Sequence, residues 1–216
     1  MGSSNGLVCL NSYISNDHLY VYDPFTIEYK TLPELCIQSQ SNVLGVVLGF
    51  GFDSVIMIYK AVKIVHYRMS NNGFVGADPE AFILTLGTPE WKKIGTIPYR
   101  LFSPTSETEV NGKLHWLTNF LQNGQERYKD IVSLDLTTEE FHVVPRPSCG
   151  SLDKASYHLV TLQGYLSAVV SRCNKSNEVW MMKDYNVQAS WTKQFITGNS
   201  SMPQSSIRNM ASPDIP

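Results

Sequence analysis

The feature that most constrains this chain is that it repeats itself. The stretch "DPFTIEYKTLP" at residues 23–33 aligns without a gap on "DLTTEEFHVVP" at residues 135–145, with Asp, Thr, Glu, an aromatic and Pro in the same places. A third copy, "TLGTPEWKKI", begins at Thr85, and a looser fourth, "MKDYNVQASWTKQF", keeps Asp184 and an aromatic with one extra residue in the turn. The aromatic anchors Tyr29, Trp91, Phe141 and Trp191 stand 62, 50 and 50 residues apart. A period of roughly 40 to 50 residues points to a propeller or an array of stacked units.

Each unit also has an upstream half built around a glycine: "NGLVCL" at Gly6, "VNGKLHWL" at Gly112 and "LQGYLSAVV" at Gly164. Asn-Gly between alternating runs signals a two-residue hairpin, because a type I′ turn needs positive φ at both central positions. In the second unit Gly49 and Gly51 flank Phe50 in "GFGFDSVIMIYKAVKIV", and an insertion follows around "SNNGFVGADPEA". Alternation completes the pattern: Val132, Leu134 and Leu136 share one face, as do Phe141 and Val143. Each unit reads as four short antiparallel strands, the outline of a propeller blade. The anchor aromatics are expected to pack between neighbouring blades. Thr26, Thr138, Glu28 and Glu140 are expected to bond turn amides.

Composition removes several function classes. A formal charge of -2 with no basic stripe gives no electrostatic reason to expect nucleic acid or an anionic membrane. No apolar run approaches the roughly 18 to 20 residues of a membrane span, and no secretory core follows Met1. Cys9, Cys36, Cys149 and Cys173 are far apart, without metal-ligand spacing. They read as free thiols of a cytoplasmic or nuclear protein, where the Asn-x-Ser triplets at Asn174 and Asn199 carry no meaning.

The search for chemistry returns little. The nucleophile elbow, the phosphate-binding loop and the zinc-helix motif are all missing from the sequence. Gly49 and Gly51 lack the third glycine and the helix that would present a pyrophosphate, and strand packing explains them better. His18, His66, His115, His142 and His158 fall in different units, and Glu139 and Glu140 sit side by side on a turn that reads as solvated. No cofactor, metal or catalytic residue is expected. What varies between the units is their longer connections: residues 11–18, 66–80, 99–108, 118–129, 147–156 and 171–177. Tyr99, Phe102, Phe120 and Tyr128 lie in or near them and are the candidate anchors for a protein partner.

Seven phrases in order, "NGLVCL", "YVYDPFTIEYKTLP", "GFGFD…YKAVKI", "LGTPEWKKI", "VNGKLHWL", "IVSLDLTTEEFHVVPRP" and "NEVWMMKDYNVQASWTKQF", resemble the associated domain of plant F-box proteins across about nine tenths of the chain. The resemblance implies an all-β fold, a kelch-like β-propeller that captures a protein substrate behind an F-box docked on a Skp1-type adaptor. The receptor would then serve a cullin-based (SCF-type) ubiquitin ligase, with the transfer chemistry in other subunits. Only "MGSS" precedes Asn5, so adaptor binding is expected only if an F-box is supplied. Further closing units are not evident after Trp191. The expected organisation is a partial propeller of about four blades at residues 1–197 and a disordered Ser/Pro-rich tail at 198–216. Two other readings stand beside the receptor. One is a sugar- or small-molecule-binding propeller, or an enzyme, using Trp116 and Trp180 in a central pocket; the other is a decoy without function of its own.

Overall fold

The structure is a computed structural model that describes residues 2–11, 18–37, 43–68, 78–101, 108–122, 125–148, 155–172 and 177–197. It is all-β. Four antiparallel sheets of four strands each follow one another along the chain, every sheet an up-and-down meander. The first holds β1 (Gly2–Ser4), β2 (Leu7–Asn11), β3 (Leu19–Asp23) and β4 (Glu28–Thr31). The second holds β5 (Val43–Asp53), β6 (Ile58–Tyr67), β7 (Glu80–Thr85) and β8 (Lys92–Thr96). The third holds β9 (Thr108–Val110), β10 (Lys113–Gln122), β11 (Gln125–Asp135) and β12 (Phe141–Val144). The fourth holds β13 (Ala155–Leu162), β14 (Tyr165–Arg172), β15 (Asn177–Met182) and β16 (Trp191–Thr197), with a 3-10 turn at Gln188–Ser190.

The chain divides into two compact units, Met1–Val144 with three sheets and Pro145–Pro216 with the fourth. "MGSS" does more than precede the first blade, since Gly2–Ser4 is its first strand. The tail at 198–216 lies outside the described residues.

Inside the first unit, the second sheet is buried on both faces, which accounts for the near-continuous burial of β6, its Lys60, Lys63 and His66 included. Because side chains alternate across a strand, Val62 and Ile64 join Leu114, Trp116 and Leu134 of the third sheet. Ala61 points the other way, to Cys9, Leu19 and Val21 of the first sheet. At Gly49 and Gly51 side chains of the third sheet pack directly on the β5 backbone. A Cβ at Gly49 would stand 2.7 Å from the Trp116 ring, and one at Gly51 would stand 2.8 Å from Leu136. The double glycine is a packing device.

The hairpin turns follow the sequence. Asn5-Gly6 and Asn111-Gly112 both have positive φ at the two central residues, as the type I′ geometry requires, and Gln163-Gly164 does the same.

Candidate functional site

The polar turns of the repeat are organised by their aspartates. Asp23 Oδ1 accepts the amides of Phe25 (2.9 Å) and Thr26 (3.4 Å), and Asp135 Oδ1 accepts those of Thr137 (2.9 Å) and Thr138 (3.1 Å). The turn threonines and glutamates were expected in this role. A short carboxylate two residues back reaches the amides without straining the turn, which is the Asx-turn geometry. The same device recurs at Asp53, which accepts the amides of Val55 (3.0 Å) and Ile56 (3.3 Å). Four residues after each aspartate the backbone turns left-handed: Ile27 (φ 61°), Met57 (φ 56°) and Glu139 (φ 60°).

These turns are gathered at one end of the first unit. Gly6 lies against Phe25, the Tyr59 hydroxyl lies 3.5 Å from the Asn5 carbonyl, and Gly112 approaches the backbone of Phe52. The tips are apolar and uncovered. Phe25, Ile27 and Tyr29 on the first sheet, and Val55, Ile56 and Met57 on the second, are all exposed, Phe25 by 82%. Six large apolar side chains on two adjacent tips form a surface suited to burial against another macromolecule. Ile27 is both β-branched and left-handed, a conformation that such a residue seldom adopts.

Beneath the tips is a buried charge cluster. Lys60, 3% exposed, sits 3.2 Å from Asp53 of its own sheet and 3.3 Å from Glu139 of the third sheet, and it donates to the Leu136 carbonyl. Thr137 donates to Asp53 (3.0 Å) and Lys92 pairs with Glu139 (2.6 Å). Burial alone would push the Asp53 pKa up. The Lys60 ammonium, the Thr137 hydroxyl and the amides of Val55 and Ile56 outweigh it and hold the carboxyl below its ordinary value. Glu139 is likewise raised by burial but lowered further by Lys92 and Lys60. The cluster joins two sheets through a shared lysine, and every charge in it has a partner.

Comparison with known proteins follows from this architecture. A family model described as "F-box associated beta propeller domain" matches residues 1–211. The chain belongs to that family. It is 38% identical over 214 residues to the F-box protein At3g07870 of Arabidopsis thaliana, a match covering 92% of this chain and 50% of that protein. It is 30% identical over 213 residues to the F-box protein CPR1 of Arabidopsis thaliana, covering 90% of this chain and 51% of that one. The chain thus spans about half the length of these relatives. Among solved structures, Bacteroides ovatus xyloglucan PUL GH43B aligns at a TM-score of 0.41 and 11% identity, over 91% of this chain and 39% of that one.

In this F-box associated domain the repeat anchors take different places. Trp91 packs on the core between the first two sheets, and its Nε1 donates to the Pro33 carbonyl at 2.8 Å. The Lys63 ammonium lies 5.1 Å from its ring centre. Phe141 packs on the core between the second and third sheets, 6.4 Å from Trp116. Trp191 is buried in the second unit and donates to the Pro145 carbonyl at 2.8 Å. Tyr29 departs from the packing expected of it, being 71% exposed with its edge against Tyr20. Trp91 and Phe141 each lie against the sheet before them in the chain.

Of the loop aromatics, Tyr99 is half-buried against the core shared by the second and third sheets. Phe102 lies outside the described residues. Phe120 and Tyr128 belong to the distal part of the β10–β11 hairpin, where Phe120 pairs with Arg127 and Tyr128 with Asn119. Trp116, a candidate sugar platform, is completely buried and donates to the Leu48 carbonyl at 3.3 Å, so no ring could stack on it. Glu140 is exposed as expected, but its neighbour Glu139 is not a solvated turn residue. No sequence motif singles out Asp53, Lys60 or the apolar tips. The available signal was the Asp four residues before Met57, the same offset as in the two aligned turns.

The histidines do not converge. His66 and His115 are buried; burial, with the Arg100 charge behind it, pushes His66 down to about 4, and burial pushes His115 down to about 4. Among the described residues no group of three or more His, Cys, Asp or Glu is placed to hold a metal ion.

Proposed function

We propose that this domain is the target-recognition module of an SCF-type ubiquitin-ligase receptor, holding a protein for ubiquitination while other subunits carry the chemistry. The observation that carries this reading is the continuous match of residues 1–211 to a domain found in F-box proteins. The geometry supports it: a scaffold whose middle sheet is buried on both faces presents apolar hairpin tips at one end, and rigid scaffolds with exposed apolar patches are suited to recognition. A Skp1-type adaptor joins through F-box helices, and the setting is cytoplasm or nucleus. The sugar-binding alternative loses Trp116 to the core.

The test compares the bare chain with the same chain fused behind an F-box, each captured from plant cells under proteasome inhibition. The fusion should retain the adaptor and ubiquitinated proteins that the bare chain does not. Adaptor binding by the bare chain, or no ubiquitinated protein specific to the fusion, would overturn the reading.

A further inference from the structure

A cleft of about 390 Å³ opens in the first unit beside the outermost strand of the first sheet. One wall consists of residues 30–33, four in succession, and the other of Leu84, Leu86, Gly87, Thr88 and Pro89. Successive side chains on a strand point to opposite faces, so four consecutive residues can line one cleft only if it runs along the edge of the backbone.

The hydrogen-bond phase says which groups that edge offers. The Leu32 amide donates to the Leu19 carbonyl at 2.8 Å, so in the β3–β4 register Glu28, Lys30 and Leu32 turn their main-chain groups towards β3. Tyr29, Thr31 and Pro33 turn theirs away. The Pro33 carbonyl is already taken by the Trp91 indole, which ends the open edge at that residue. Among the described residues no hydrogen bond takes the amides and carbonyls of Thr31 and Tyr29 along it. The outer strands β8 and β16 are interrupted by register shifts in their pairing, a device that discourages further strand addition, whereas β4 and β12 are regular, and of these two it is β4 that borders the cleft. The cleft is lined by apolar Leu86 and Pro89, backed by Leu32 and Leu84 of the core between the first two sheets. Lys30 is the single charged residue lining it among the described residues, and it is in none of their salt bridges.

We propose that this cleft binds an extended acidic-apolar peptide segment of a target protein, added as a further strand along β4. Main-chain bonds to Thr31 and Tyr29 hold it, an apolar side chain covers Leu86 and Pro89, and a carboxylate pairs with Lys30. This rests on the recognition role proposed above and supplies its chemistry.

Three fluorescein-labelled heptapeptides test it by anisotropy on the full chain: valine alternating with glutamate, valine alternating with lysine, and the glutamate peptide with its alternate amides N-methylated. The glutamate peptide should bind saturably, and the other two about tenfold more weakly. Lys30→Glu should reverse the preference between glutamate and lysine peptides. Thr31→Pro should weaken both about tenfold while leaving the β3–β4 ladder intact, because the amide it removes points away from β3. Circular-dichroism melts confirm that each variant is folded, and Lys30→Glu, at an exposed position, carries the test if Thr31→Pro is not. Absence of saturable binding, or binding indifferent to Lys30→Glu and to N-methylation, overturns the proposal. So does self-association in sedimentation that Thr31→Pro abolishes, since the occupant is then a second copy. If Lys30→Glu in the F-box fusion leaves ubiquitination of its targets unchanged, the cleft proposal falls while the receptor reading stands.

Discussion

The Trp91 indole donates to the Pro33 carbonyl at 2.8 Å, and Trp191 repeats the bond to Pro145 at the same distance. Both prolines follow the last strand of a sheet, where no further ladder partner takes their carbonyl, and both tryptophans stand at the start of a last strand. Trp91→Phe should keep an aromatic side chain but lose the indole N–H bond and part of the ring's packing, lowering stability by about 1 to 2 kcal/mol or more, with Trp191→Phe similar in sign. Urea unfolding followed by far-ultraviolet circular dichroism measures this, and an unchanged midpoint would mean that the bond contributes nothing.

Gly49 and Gly45 lie on one strand but in different surroundings. An added methyl at Gly49 meets Trp116 at 2.7 Å, whereas at Gly45 nothing lies within 4 Å. Gly49→Ala should therefore destabilise by about 1 to 3 kcal/mol through overpacking, and Gly45→Ala should be near neutral. Thermal melts of the pair compare the two directly.

Lys60→Met should be the most damaging single change in the charge cluster, because it leaves Asp53, 1% exposed, without its cation. Breaking a buried pair from one side costs about 3 to 5 kcal/mol. Adding Asp53→Asn, which keeps the turn-capping oxygen, should restore part of that loss. A double-mutant cycle by urea unfolding tests it, and simple additivity would contradict the coupling.

Acid should weaken the fold in two stages. His66 and His115 are held down to about 4 when folded, so between pH 6.5 and 4 the unfolded chain takes up protons that the folded chain refuses. Stability is complete above the ordinary histidine value and falls with pH through that window, by about 3 kcal/mol per histidine. Below it the lowered carboxyls of Asp53 and Glu139 act in the same direction as their charges are lost. The slope of unfolding free energy against pH, and its reduction in His66→Gln, is the observable.

Much of this architecture was readable beforehand because repetition is a comparison internal to the chain. The alignment of residues 23–33 on 135–145 located two outer hairpins, and Asn-Gly placed two more turns. Asp53 escaped notice because its turn sits between the first and second strands of its sheet, outside the aligned phrase. Lys60 escaped because a lysine in a strand reads as solvated unless the neighbouring sheet is known to supply carbonyls and carboxylates. The exposed tips were also hidden, since Phe25, Ile27 and Met57 look like core residues by type and become surface only through the turns that carry them. The cleft beside β4 depends on hydrogen-bond phase, which composition does not encode.

The most direct test of the recognition role is a turnover measurement in plant cells expressing the domain behind an F-box. Protein half-lives across the proteome are compared with those in cells where the F-box cannot bind its adaptor. A small set of proteins should decay faster only with the intact fusion, and proteasome inhibition should restore their half-lives. Half-lives indistinguishable between the two lines would contradict the account.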